Sequence, residues 1–253
     1  MRCILLKNKT AIITGSNRGI GKILVKKFAE NAHDIWACAR QRTDEFENFL
    51  SDLSNQYSVN IQPIYFDLSD EEEIKSGMQQ IIRQKRKIDV LINNAGIAHT
   101  GLLTMTPLKA LHEVYQINVF APIQIMQLVA RTMMRQRNEG GGCIINMCSV
   151  GGIEANPGYL AYGSSKAALI WITRSISKEL GKYNIRVNGI APGLVDTDMG
   201  MIKSEEERKK VIDRTSLNRI ANPEEIAEAA LYIASDAASY MTGHIMVLDG
   251  GRL

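Results

Sequence analysis

From Thr10 to the end of the chain, short β-rich apolar runs alternate with segments of helical periodicity, and no linker, repeat or low-complexity tract breaks the alternation. A strand followed by a helix returns to the sheet beside an earlier strand and parallel to it, so the pattern predicts parallel strands with crossover helices on both faces. The expected strands are Thr10–Thr14, Asp34–Ala39, 59–66, 89–92, 143–148, 185–190 and 244–248. Helices are expected after Gly21 and over 46–57, 70–87, most of 107–137, 159–183 and 223–235, with a substrate lid over 198–218 built on the charged run 204–215. The fold class is therefore α/β: a single domain of 253 residues on one doubly wound parallel sheet, with ligands bound at the carboxyl ends of the strands.

Residues able to carry chemistry fall just past those strand ends. Gly15, Gly19 and Gly21 in G-S-N-R-G-I-G occupy the first strand-to-helix turn, where backbone N–H groups and the positive helix end can hold a pyrophosphate. A glycine-rich turn is also simply a turn, but the strand before it and the helix after it favour the phosphate, although the spacing differs from G-x-G-x-x-G. The second strand ends in Arg40-Gln41-Arg42 without the acid that would bind a free ribose 2′-hydroxyl. Arg40 with Arg18 can clamp the 2′-phosphate of NADP, or both can be solvated surface charge. Asp67 can accept a hydrogen bond from an adenine amino group or cap the helix beginning near Glu71. Asn93, Asn94, Ala95 and Gly96 end the fourth strand, where side-chain amides brace neighbouring strands or face a cofactor. Asn118 stands inside a helix, where asparagine is a poor fit, and Pro122 forces a local irregularity.

The fifth strand delivers Ser149, and the following helix carries Tyr162 and Lys166 four residues apart. That spacing stacks the two side chains on one helix face, with Cβ atoms roughly 6 Å apart. A free phenol titrates near pH ~10, so acid–base work near neutrality asks for about 4 kcal/mol of differential stabilisation. A neighbouring ammonium supplies part of it, and an oxidised nicotinamide would add more. The same pair is also common by chance on amphipathic helices.

The formal charge of +3, from 30 basic and 27 acidic residues, is too balanced for a nucleic-acid binder. Cys3, Cys38, Cys143 and Cys148 show no C-x-x-C spacing and fit buried thiols in a reducing compartment better than bridges or a metal site. The N-terminus lacks a signal-like apolar stretch, and no apolar run reaches the ~20 residues of a membrane span. A cytoplasmic protein without a metal, a membrane or a nucleic-acid partner is expected.

Taken together, T-G-S-N-R-G-I-G at 14–21, N-N-A-G at 93–96, Asn118, Ser149, Tyr162-Gly-Ser-Ser-Lys166 and P-G-L-V-D-T at 192–197 resemble a classical short-chain dehydrogenase/reductase over essentially the whole chain. The resemblance implies a Rossmann-type fold, hydride transfer between a nicotinamide and a carbonyl or alcohol, and the catalytic set Asn118, Ser149, Tyr162 and Lys166. It places the cofactor on Gly15, Asn17, Arg18, Gly19, Ile20, Gly21, Arg40, Asp67, Leu68, Asn94, Ala95, Gly96, Tyr162, Lys166, Pro192, Gly193, Val195 and Thr197. In the implied roles Ser149 binds the substrate oxygen and Tyr162 donates the proton. Lys166 lowers the phenol pKa and holds the ribose, Asn118 anchors a water, and Thr197 with the backbone near Val195 binds the carboxamide.

Within that family the C-terminal run from Asn218 to Gly251 resembles 3-oxoacyl-(acyl-carrier-protein) reductases, which reduce a thioester-linked ketone with NADPH. Ala221 stands where R-x-G-x-P-E-E has glycine, and the same tail occurs in reductases of sugars, steroids and xenobiotics. The resemblance implies an acidic carrier docking on basic residues near the active-site mouth, with Arg131 and Lys182 as the positions to compare. It also implies a homotetramer through the long helices and the last strand, for which Ile123, Met126, Ile170 and Trp171 are candidate contacts, although the sheet would bury some of them anyway. The other readings are an NADP-linked dehydrogenase of a sugar or other small ketone, and a non-catalytic dinucleotide sensor, against which the intact Ser-Tyr-Lys set argues.

Overall fold

Alternate side chains of each strand go to opposite faces of the sheet, and in the computed structural model both faces are buried. The model describes residues 9–201 and 204–253, so Cys3 and, within the expected lid, Ile202 and Lys203 lie outside the described residues. In chain order the elements are β1 (Thr10–Thr14), α1 (Gly19–Glu30), β2 (Asp34–Ala39), α2 (Asp44–Tyr57), β3 (Ile61–Tyr65), α3 (Glu71–Ile82) and β4 (Val90–Asn93). They continue with α4 (Leu108–Tyr115), α5 (Ala121–Arg135), β5 (Gly142–Met147), α6 (Leu160–Leu180), β6 (Ile185–Pro192), α7 (Asp198–Met201), α8 (Glu205–Asp213), α9 (Pro223–Ala234) and β7 (Ile245–Leu248). The strands form one seven-stranded sheet in the order β3-β2-β1-β4-β5-β6-β7, and every pairing is parallel.

Ala11, Ile13, Ile35, Ala37, Val90, Ile92, Cys143 and Ile145 face α1, α2 and α9, meeting Leu24, Phe28, Leu50, Ile226 and Ala230. Their strand neighbours Ile12, Trp36, Cys38, Leu91 and Ile144 face α3 and α5, meeting Ile74, Met78, Ile125, Val129 and Met133. Cys38, Cys143 and Cys148 are free and buried as expected, and burial pushes each thiol pKa up.

The long helix expected over 107–137 is broken in the middle. Gln116–Phe120 forms a π turn between α4 and α5. Pro122 has no N–H to give the carbonyl four residues earlier, that of Asn118, so the helix widens where asparagine stands. The lid segment is two short helices, and α8 opens on a reciprocal capping box between Ser204 and Glu207.

His33, between α1 and β2, is fully buried against the Phe28 ring at 4.9 Å. Neither ring nitrogen has a hydrogen-bond partner among the described residues. Burial pushes its pKa from 6.5 down to about 4, with Lys9 adding to the shift and Asp89 and Asp34 opposing it. The folded imidazole stays neutral where the unfolded one protonates, so its contribution is lost as pH falls from 6.5 towards 4 and is flat above and below that window. Unfolding by urea at pH 7 and pH 5 should differ by about 2 kcal/mol from this residue, and His33→Leu should remove that part of the difference. An unchanged pH dependence in His33→Leu would show that other groups cause the acid loss.

Candidate active site

The strand order reverses between β1 and β4, and the turns leaving those two strands abut. Gly15 takes φ +67°, and a Cβ there would sit 2.9 Å from Ala95 Cα. A Cβ on Gly21 would fall 1.9 Å from the Gly15 carbonyl oxygen, so α1 starts directly against the end of β1. Thr14 fastens the two turns: its Oγ1 accepts the N–H groups of Asn94 at 3.0 Å and Ala95 at 3.1 Å. Asn94 returns the contact, donating through Nδ2 to the Thr14 and Gly15 carbonyls. Of its two expected roles, the side-chain amide of Asn94 is spent on bracing. Asn93 braces likewise, donating to Asn146 Oδ1 of β5 at 2.9 Å.

The N-cap of α1, Arg18, offers no side-chain hydrogen bond to the first helical N–H groups. An uncapped helix start beside three glycines is a cradle for an anion, and it fits the pyrophosphate of a dinucleotide. Thr197 closes the other side, since a Cβ on Gly19 would lie 3.5 Å from its Cγ2. Pro192 ends β6, and Val195 and Ala221 pair their backbones beyond it. Ala221 is absent from the left-handed positions among the described residues, so this turn has no need of the glycine that R-x-G-x-P-E-E carries. Gly193 packs on Asp249 instead, where a Cβ would meet Asp249 Cα at 2.9 Å.

Arg40 follows β2 immediately and, like Asn17 and Arg18, is exposed. Neither Arg18 nor Arg40 forms an ion pair among the described residues, whereas Arg42 is held by Glu47 at 2.6 Å. Asp67 does not cap α3; Asp70 does, accepting the N–H groups of Glu72 and Glu73. The Asp67 Oδ1 accepts the Ser69 N–H and hydroxyl, both at 2.8 Å. Burial works against its charge, but the Ser69 bonds and nearby Arg40 hold its pKa below the usual value. Leu68, next in the chain, gives its carbonyl to Gln116 Nε2 at 3.2 Å.

Ser149, Tyr162, Lys166 and Asn118 converge past the ends of β4 and β5. Ser149 lies near enough to the Tyr162 phenol to oppose the rise in its pKa, and the Ser149 Oγ accepts the Gly151 N–H at 3.1 Å. The space a Cβ of Gly96 would need is taken by Asn118 Oδ1 at 3.1 Å and Lys166 Nζ at 3.4 Å. The Asn118 side chain is fully buried, exchanging two 2.9 Å bonds with the Ile97 backbone and donating to Ser165 Oγ at 3.0 Å. Lys166 Nζ donates to the Met147 carbonyl at 2.7 Å and lies 5.8 Å from the centre of the Tyr162 ring.

One electrostatic expectation changes. The Tyr162 phenol is pushed up by burial, with Ser149 opposing, and Lys166 is not among the groups that move it. Lys166 is itself driven down to about 8 by its own desolvation. The lysine charge is spent on the Met147 carbonyl rather than on the phenol, so the protein without ligand holds Tyr162 protonated, the state an acid must start from. Sequence reasoning missed Thr14, Ser165 and the Met147 carbonyl. Thr14 was signalled by a hydroxyl placed one residue before the first glycine.

Helix phase decides which of the candidate interface residues the sheet buries, and helix direction corrects the carrier-docking expectation. Met126 and Ile170 are only 4% and 6% exposed and lie in the core of their own chain, so they are not available to a partner. Ile123 packs partly against that core, and Trp171 points outward at 71% exposure. Lys182 lies just before β6 and Arg131 in the second half of α5, both towards the amino-terminal edge of the sheet. Tyr162 opens α6 at the carboxyl edge, about 30 Å from Lys182 by helix rise. Neither cation borders this chain's own active-site mouth.

The family model described as enoyl-(acyl carrier protein) reductase matches residues 14–252. The chain belongs to the short-chain dehydrogenase/reductase family. It is 36% identical to a 3-oxoacyl-[acyl-carrier-protein] reductase of Chlamydia trachomatis, with 98% of each chain covered. It is also 36% identical to a 3α-hydroxysteroid dehydrogenase of Mediterraneibacter gnavus, again over 98% of each. Among solved structures, a 7α-hydroxysteroid dehydrogenase bound to NADH and 7-oxo glycochenodeoxycholic acid superposes with a TM-score of 0.89 at 32% identity, covering 98% of this chain and 95% of that one. As a short-chain dehydrogenase/reductase the protein is an oxidoreductase that uses a nicotinamide cofactor, and among its described residues no helix is long and apolar enough to cross a membrane.

Proposed function

We propose that this protein is an NADPH-dependent reductase that converts the ketone of a 3-oxoacyl-(acyl-carrier-protein) thioester into a secondary alcohol. The observation that carries the carbonyl chemistry is the convergence of Ser149 and Tyr162 with buried Lys166 and Asn118 past the ends of β4 and β5. Bound nicotinamide supplies the hydride. Ser149 and Tyr162 hold the substrate oxygen between two hydroxyls, and Tyr162 gives up its proton as negative charge develops there. Lys166, its pKa lowered to about 8, would hold the ribose and serve as the proton reserve of the site, and Asn118 would anchor a water beside it. Gly15, Ile20 and Gly21 would hold the pyrophosphate, Asp67 and Leu68 the adenine, and Val195 with Thr197 the carboxamide.

The choice of NADPH rests on Arg40 at the end of β2, unpaired among the described residues, where a ribose-binding acid is missing. Arg40→Ala should weaken NADPH about 30-fold and NADH less than about threefold, read by fluorescence titration. Equal losses for both would remove the phosphate clamp.

The substrate class is supported by the relatives and by the rim of the site. Leu102, Ile153 and Met199 stand exposed on the segments that follow β4, β5 and β6, Met199 in α7. Such a rim suits an acyl chain or a steroid better than a polyhydroxylated sugar. A hydroxysteroid substrate is the second reading, favoured by the equally similar 3α-hydroxysteroid dehydrogenase. Comparing acetoacetyl thioester with a 3-oxo steroid decides between them. We also infer a cytoplasmic homotetramer formed through the outer faces of α5 and α6, with Trp171 at the contact.

A further inference from the structure

Glu154, five residues beyond Ser149, takes no part in the chemistry above. Its Oε1 accepts from Arg214 Nη2 at 2.5 Å, and its Oε2 accepts from Arg252 Nη2 at 2.9 Å. Arg214 follows α8 directly, and Arg252 is the penultimate residue of the chain. One carboxylate therefore joins the Ser149 loop, the end of the charged helix and the C-terminal tail. Its own N–H donates to the Val150 carbonyl at 2.8 Å, so a single turn connects the carboxylate to the residue after Ser149.

An exposed ion pair contributes little, and the Arg214 contact lies nearer that case, but the Arg252 contact does not. The Arg252 side chain is 10% exposed and that of Glu154 26%, and the Arg252 Nε is buried without a partner among the described residues. Removing the carboxylate would leave a nearly buried guanidinium uncompensated. The tail that carries Arg252 is itself fixed, since the Asp249 carboxylate accepts the Gly251 and Leu253 N–H groups at 2.9 Å each. Ser216 Oγ donates to the Gly251 carbonyl at 3.0 Å, which ties the tail to the segment following α8. Thr215, Asp249 and Gly250, which neighbour the junction in the chain, line a partly open pocket of about 150 Å³ together with Leu194, Leu217 and Leu248.

We propose that Glu154 is a positioning residue, which holds the Ser149 loop against α8 and the C-terminal tail through Arg214 and Arg252 and so keeps the Ser149 hydroxyl on Tyr162. The kinetic half of the proposal rests on the carbonyl reduction proposed above, whereas the structural half does not. Two readouts separate them. In the protein without cofactor, Glu154→Gln should speed tryptic cleavage after the basic residues of α8 about tenfold. In turnover it should lower kcat/KM for the carbonyl substrate about tenfold while NADPH affinity stays within about twofold. Arg214→Ala removes one of the two contacts that Glu154→Gln removes, so alone it should show a smaller effect in the same direction, and it should add nothing in the Glu154→Gln background. Arg214 is half exposed, so it carries the test if Glu154→Gln fails to fold. Cleavage and kcat/KM at parent values, or additive effects of the two substitutions, would overturn the proposal. Absence of turnover in the parent protein would count against the reaction instead and leave the cleavage comparison intact.

Discussion

Tyr162→Phe lowers kcat about 10³-fold and leaves NADPH affinity within about twofold of the parent. In the proposed reaction the phenol oxygen gives a proton to the substrate oxygen, and burial favours its protonated form until then. The ring packs edge-on to Tyr159 at 6.1 Å between centroids, a contact phenylalanine preserves, so the loss cannot come from repacking. Ser149 would still hold the substrate oxygen, which is why catalysis falls to a residue rather than to nothing. Turnover close to that of the parent would remove Tyr162 as the acid.

Gly21→Ala removes dinucleotide binding by at least about 100-fold and lowers the stability of the protein by about 3 kcal/mol. The new methyl would lie 1.9 Å from the Gly15 carbonyl oxygen and 2.7 Å from Asn94 Nδ2. No rotamer relieves a backbone contact, so α1 must move away from β1 and the cradle at its start opens. Gly181→Ala is the matched control, because nothing lies within 4 Å of its added Cβ and its backbone is right-handed helical. It should be neutral or stabilising by roughly 0.5 kcal/mol. Thermal denaturation and NADPH titration of both variants check the pair, and equal behaviour would show that the close approach at Gly21 is not what matters.

Much of this architecture is legible in the sequence because the two periodicities are clean. Ala11 and Ile13 against Ile12, or Cys143 and Ile145 against Ile144, alternate between the two buried faces, and both faces call for apolar residues, which marks a parallel sheet. Strand ends then locate the site, since Gly15, Arg40, Asp67, Asn94 and Ser149 each follow a strand closely. What a side chain does at that place is less visible. Asn94 and Thr14 brace the cofactor turn, and Asp70 rather than Asp67 caps α3, because a hydrogen-bond partner depends on which turns meet in space. Helix phase decides whether an apolar residue is core or surface, and Trp171 and Ile170 are adjacent yet face opposite ways. The charge on Lys166 could not be assigned to the phenol from a four-residue spacing, because the Met147 carbonyl that engages it comes from another element. Glu154 carried no signal at all, since its partners are 60 and 98 residues away.

The most direct test is the rate of NADPH oxidation with acetoacetyl thioester, repeated with NADH under the same conditions. Rapid turnover with NADPH and little with NADH is the expected result, and it would join the Arg40 site to the Ser149–Tyr162 pair in one reaction. No turnover in the presence of tightly bound NADPH, or a preference for NADH, would contradict the account.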